Sequence, residues 1–111
     1  MDRFDRIAYR LKLRDLRLLD IVVRTGSMAR AAAQLNMSQP AVSKAVAELE
    51  HVLGVRLLDR SRQGVVPTTY GLALLESGTV MLDELRQGVS KIEFLADPSA
   101  GEIRVVASEP M

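Results

Sequence analysis

The chain has 111 residues, 48% of them apolar, with no cysteine and a single histidine, which excludes a disulfide framework and a soft-ligand cluster for structural zinc. Net charge is only +1, yet residues 1–66 carry a net +5 and residues 67–111 a net −4, so one end can approach a polyanion that the other repels. No apolar run approaches the roughly 18 residues of a membrane span, and the opening MDRFDRIAYRLK lacks the apolar core of a signal peptide, so no membrane partner is expected.

Phe4, Ile7, Ala8 and Leu11 fall at helical spacing, which predicts a short amphipathic helix over 4–11. The cations of this start (Arg3, Arg6, Arg10, Lys12, Arg14, Arg17) are interleaved with Asp2, Asp5 and Asp15, the pattern of a solvated face rather than of a DNA contact. A second helix runs over 13–25, with Leu16, Leu19, Val22 and Val23 on one stripe, and Gly26 ends it in a left-handed residue. Ser27 caps a short third helix over 28–35. After Asn36-Met37, Ser38 caps a fourth that opens with Gln39-Pro40, where proline is tolerated because its missing N–H would have no partner; it stops at Gly54.

These two short helices have helix-turn-helix geometry. Ala32 is the small residue at their contact. Asn36, four positions on, tolerates the positive φ of the tight turn, and Val42, six further, seats the second helix in the core. Gln39, Ser43 and Ala47, with Pro40 and Lys44 beside them, lie opposite Val42, Val46 and Leu49. On such a helix Gln39 can pair with adenine, and Lys44 can donate to guanine or to a phosphate. Ser27 and Ser38 have two readings, cap alone or cap plus phosphate contact, of which capping is sufficient. Arg30 joins them as a candidate phosphate contact.

Val55 to Leu58 and Val65-Val66 are β-prone runs around a polar tip, the grammar of a hairpin or wing. Arg60 and Arg62 flank that tip, where either can enter a minor groove, form ordinary surface charge or, for Arg60, brace the wing by an ion pair. Pro67 ends the hairpin and Thr68 caps a last helix over 69–96, about 40 Å long at 1.5 Å per residue. Leu75, Leu82, Val89 and Ala96 recur every seven residues, with Gly78, Leu85 and Ile92 at the alternate position; Leu74, Met81 and Leu95 broaden the stripe. One small domain cannot cover so long a stripe, so a partner helix is implied. Residues 97–101 read as a hinge and 102–108 as a strand that suggests a longer protein.

The run SMARAAAQLNMSQPAVSKAVAELEHVLGVRLLDR, a wing, and a Pro-Thr-Thr-Tyr-Gly start to a long helix resemble the LysR-type transcriptional regulators over about residues 13–108. The resemblance implies a mainly α fold, a winged helix-turn-helix with a small two-stranded wing over 13–68, behind an N-terminal extension (1–12). It implies a linker helix (69–96) pairing antiparallel in a homodimer through Leu75, Leu82, Leu85, Val89 and Ile92, and a tetramer at full length. Residues 97–111 would then be the hinge and first strand of an effector-binding domain that would take the small-molecule ligand. It places the residues matching Gln39, Pro40, Ser43 and Lys44 in the major groove and a wing arginine in the minor groove. The partner implied is double-stranded DNA bearing an imperfect, A·T-rich inverted repeat, in the cytoplasm, with no cofactor or metal in this segment. The chain departs from the pattern at Met28 (usually Phe), Ala29 (often Thr, so one hydroxyl is missing), Lys44 (often Arg) and Gln63 (where the wing arginine usually stands).

Two other classes compete. A winged helix that meets protein would share the fold, but the polar Gln39 and Ser43 beside Lys44 favour DNA. An enzyme would need a nucleophile and a base. There is no cysteine, His51 reads as a surface residue, and Glu48, Glu50, Asp83 and Glu84 read as solvated faces.

Overall fold

Helix ends in this chain are set by local chemistry. The computed structural model describes residues 2–97 and 99, in the order α1 (Arg3–Arg10), α2 (Leu13–Thr25), α3 (Met28–Leu35), α4 (Gln39–Leu53), β1 (Leu58–Ser61), β2 (Gly64–Pro67) and α5 (Thr69–Ala96). Asp2 and Asp5 form a reciprocal capping box on α1. Ser27 Oγ accepts from the Arg30 N–H at 3.1 Å and Ser38 Oγ from the Ala41 N–H at 3.2 Å. Gly26 and Gly54 close α2 and α4 in the left-handed region. Thr68 caps α5, its Oγ1 accepting from the Gly71 N–H at 3.1 Å. The winged helix-turn-helix followed by a long helix is thus the observed architecture.

The chain divides into a unit ending at Thr79 and one beginning at Val80. The core of the first joins Leu18, Leu19 and Val22 of α2, Ala31 and Ala32 of α3, and Val42, Val46 and Leu49 of α4 to Leu57, Leu58 and Val65 at the foot of the wing. Each fully buried aliphatic side chain contributes about 1.5–3 kcal/mol. Asn36 holds φ 58° and ψ 42°, and the N–H of Met37 reaches back to the Ala32 carbonyl at 2.9 Å, so the tight turn forms around the expected residues. Leu74 and Leu75 at the start of α5 pack partly against this core, and Gly78 lies on Leu16. Residues 80–96 form a helix with no buried side chain, on which Met81, Leu85, Val89, Ile92 and Leu95 are exposed and Leu82 is half-buried. Among the described residues no helix is long and apolar enough to cross a membrane.

Three expectations need correction. The first wing strand is not 55–58 but Leu58–Ser61, pairing antiparallel with Gly64–Pro67 from Leu58↔Pro67 to Ser61↔Gly64. The reason is Glu50. Its carboxylate accepts from the N–H groups of Leu57 at 2.7 Å and Leu58 at 3.3 Å and ties this segment to α4. Glu50 is therefore a buried-edge anchor and not part of a solvated face. Asp15 is likewise buried, 4% exposed, with Arg14 Nε at 3.3 Å as its charge partner. Apart from Asp97 and Ser99, the expected hinge and the strand at 102–108 lie outside the described residues.

Candidate nucleic-acid interface

Two close backbone approaches fix the wing beside α3. Val65 N–H donates to the Gly26 carbonyl at 3.1 Å, and a Cβ on Gly64, whose φ is 133°, would stand 2.2 Å from that same oxygen. Only glycine fits there. At the wing's foot, Thr68 donates from its N–H to the Leu57 carbonyl at 2.9 Å and from Oγ1 to the Arg56 carbonyl at 2.6 Å. A Cβ on Gly71 would lie 2.2 Å from the Leu57 oxygen, so the first turn of α5 presses on the same strand.

The result is a cleft of about 520 Å³ between the N-terminus of α3, the start of α4 and the wing. Ser27, Arg30 and Gln39 line one side, and Arg60, Arg62 and Gln63 the other; no carboxylate is among its lining residues. Arg30, Arg60 and Arg62 are all exposed. Three arginines around a concave surface, with the first turn of α3 (Met28, Ala29 and Arg30) in its lining, make a site for an anionic backbone. Ser27 and Ser38 accept their capping bonds through a lone pair, so each hydroxyl proton is left to donate. Capping and phosphate contact are compatible at both positions.

On α4, Gln39, Pro40 and Lys44 are exposed and Ser43 half-buried, while Val42, Val46 and Leu49 face the core. The row expected to meet base edges is therefore outward, at the N-terminal end of the helix that the turn at Asn36 presents. Arg60 lies within β1, and the two-residue turn at the tip is Arg62-Gln63. No carboxylate pairs with Arg60 among the described residues; Arg56 and Asp59, 4.0 Å apart, form the wing's ion pair instead. Met28 is 6% exposed and belongs to the core, whereas Ala29 is exposed beside the cleft.

Sequence reasoning missed Glu50 as the residue that sets the wing's foot. A signal was present: Glu50 is four residues after Val46 and three before Leu53, on the apolar side of its helix, where a carboxylate needs a donor. The Gly64–Gly26 contact had no such signal, since it joins turns far apart in the chain.

The family described as bacterial regulatory helix-turn-helix protein, lysR family, matches residues 13–72. The transcriptional regulator PcaQ of Agrobacterium fabrum is 40% identical over 98 residues, 88% of this chain and 32% of that protein. The regulator CbbR of Sinorhizobium medicae is 37% identical over 95 residues, 86% of this chain and 30% of that protein. The chain thus spans about a third of the length of the curated relatives it matches. Among solved structures, the CbnR DNA-binding domain in complex with DNA superposes with a TM-score of 0.73 at 33% identity, covering 78% of this chain and 100% of that one. The BenM DNA-binding domain on its catB site 1 DNA gives a TM-score of 0.75 at 32% identity, covering 78% and 97%. On the matched segment, the shared fold and the level of identity, this chain belongs to the lysR family of bacterial regulatory helix-turn-helix proteins.

Proposed function

We propose that the chain is the DNA-reading part of a dimeric transcriptional regulator that binds an imperfect, A·T-rich inverted repeat. The observation that carries this reading is the outward row Gln39, Pro40, Ser43 and Lys44 beside a carboxylate-free cleft lined by Arg30, Arg60 and Arg62. In this assignment α4 enters the major groove, and Gln39 and Lys44 meet base edges. Pro40 and Ser43 shape the contact, while Ser27, Arg30 and Ser38 hold phosphates and set the register. Arg62 at the wing's tip, with Arg60 behind it, reaches a minor groove whose A·T-rich narrowing concentrates negative potential.

The apolar stripe of α5 is assigned to a second copy of this chain, through the half-buried Leu82 and the exposed Leu85, Val89 and Ile92, with Leu75, partly packed on the core, at its start, so that two reading helices reach two half-sites. The full-length protein would bind its small-molecule effector beyond residue 97, assemble as a tetramer and act in the cytoplasm, where its DNA is. This segment itself calls for no cofactor.

The test uses a site selected from a random duplex pool for tight binding. Gln39→Ala should lower affinity for the selected site by about 1–3 kcal/mol while leaving binding to random duplex within a factor of about two. A mutant that keeps the full ratio of selected to random binding overturns the role given to Gln39. A wild-type chain that selects no sequence overturns the function.

A further inference from the structure

The cleft beside the wing accounts for one flank of α4. The other flank is formed by α1 and the turn that joins it to α2, and the lysR-family match, which begins at residue 13, does not include α1. Nothing in α1 is buried, yet it is not adrift: Arg10 Nη2 meets Glu48 Oε2 of α4 at 2.9 Å, and Leu11 packs on the core. Between the α1–α2 junction and α4 runs a second groove, of about 600 Å³, with Arg10 of α1, Lys12 of the joining turn and Arg14 of α2 on one wall and Lys44 and Glu48 on the other, above the buried Asp15.

Both carboxylates of this groove are engaged, Glu48 by Arg10 and Asp15 by Arg14 at 3.3 Å. Lys12 and Lys44 are left exposed and without an ion pair among the described residues. The phase of α4 places the groove. Gln39 lines the wing cleft, whereas Ala41, Lys44 and Glu48 line this one. At about 100° per residue, Ala41 and Glu48 stand roughly 160–180° round the helix from Gln39. Lys44 lies between, on the edge shared with the outward row. A helix seated in a major groove about 12 Å wide has a sugar-phosphate backbone on each side. On the function proposed above, the wing cleft takes one of them.

We propose that the groove between the α1–α2 junction and α4 holds the other DNA backbone, with Lys12 donating to a phosphate and Lys44 bridging from base edge to backbone. Glu48 restrains Arg10 from joining them. The end of the N-terminal extension is on this reading a DNA-binding element, not the solvated face its mixed charges suggest. The assignment rests on α4 lying in the major groove.

The experiment titrates the 111-residue chain against a random-sequence duplex of about 30 base pairs by fluorescence anisotropy, between about 50 and 200 mM salt. Each phosphate contact contributes about 0.9 to the slope of log K against log salt. Lys12→Gln should make that slope shallower by about 0.9 for each bound copy, about 1.8 for a dimer on the duplex, and weaken binding several-fold at the lowest salt, equally for random and selected duplexes. Glu48→Gln, which frees Arg10, should tighten binding and steepen the slope. Lys91→Gln, the same charge change on α5, should leave the slope as it is. Thermal unfolding of each variant separates lost contact from lost fold. A Lys12→Gln slope equal to wild type, or an equal change from Lys91→Gln, overturns the groove assignment alone. A wild-type chain with no salt-dependent affinity for duplex overturns it together with the function it rests on.

Discussion

Residues up to Thr79 and residues 80–96 use the same apolar vocabulary to opposite ends. In the first unit most large aliphatic side chains point inward: Leu18, Leu19, Leu49 and Leu57 are at most 1% exposed, with Leu13, Val66 and Leu72 the exceptions at its surface. In the second they point outward, Leu85 at 48%, Val89 at 46% and Ile92 at 67%. A domain that closes on itself needs no partner, whereas a helix with an apolar stripe on its surface is a folded element with its energetics unfinished. The contrast separates what the first unit does alone, which is to shape a reading head, from the pairing proposed for α5.

The largest effect should come from breaking the unfinished half. Leu85→Asp combined with Ile92→Asp places charge in the proposed seam, and sedimentation should then report a monomer. Affinity for a duplex carrying both half-sites should fall by about 10²–10⁴, because the second half-site is no longer bound intramolecularly. Unfolding of the winged helix should be unchanged. An intact dimer would refute the seam.

Breaking the finished half should look different. Leu49, 1% exposed at the junction of α4 with the wing's foot, should cost about 2–5 kcal/mol when changed to Ala, read by denaturant unfolding. That loss should be independent of protein concentration, unlike any loss from the seam. A smaller effect is expected at Glu50→Gln. Two backbone donors, on Leu57 and Leu58, would exchange a charged acceptor for a neutral one, at about 1–3 kcal/mol. Hydrogen exchange should quicken first at those two amides. Unchanged protection there would show that the wing is held by Thr68 and Gly64 without Glu50.

The same contrast explains what was legible in the sequence. Helices announce themselves through local rules: Ser27 and Ser38 as caps, Gly26 and Gly54 as stops, and the 3.6-residue spacing of Leu19, Val22, Val42, Val46 and Leu49 all read correctly. The outward row from Gln39 to Lys44 follows from that phase. The wing did not read as well, because its register depends on Glu50, eight residues before Leu58, and on Gly64 meeting Gly26 across the fold. A β-prone run such as Val55-Arg56-Leu57-Leu58 marks extended chain but cannot say which residues pair. The engaged carboxylates Asp15 of α2 and Glu48 of α4 were hidden for a related reason. Alternating charges look solvated until the packing brings Arg10 to Glu48 at 2.9 Å.

The smallest effect tests how tightly the reading head's geometry is set by one residue. Asn36 sits at φ 58° and ψ 42°, where a side chain with a Cβ is disfavoured and where asparagine is the best tolerated after glycine. Asn36→Ala should cost about 1–2 kcal/mol. Asn36→Gly should stay within about 1 kcal/mol of wild type, since relief at the left-handed position is offset by a freer unfolded chain. The backbone carries the turn in either case, through the Met37 N–H on the Ala32 carbonyl. Stability and DNA discrimination should therefore part company here: both variants should keep the wild-type ratio of selected to random binding even where the alanine lowers the melting temperature. If Asn36→Ala instead lost discrimination at full stability, the turn would be positioning α4 through the asparagine side chain, and the angle between α3 and α4 would not be a property of the backbone alone.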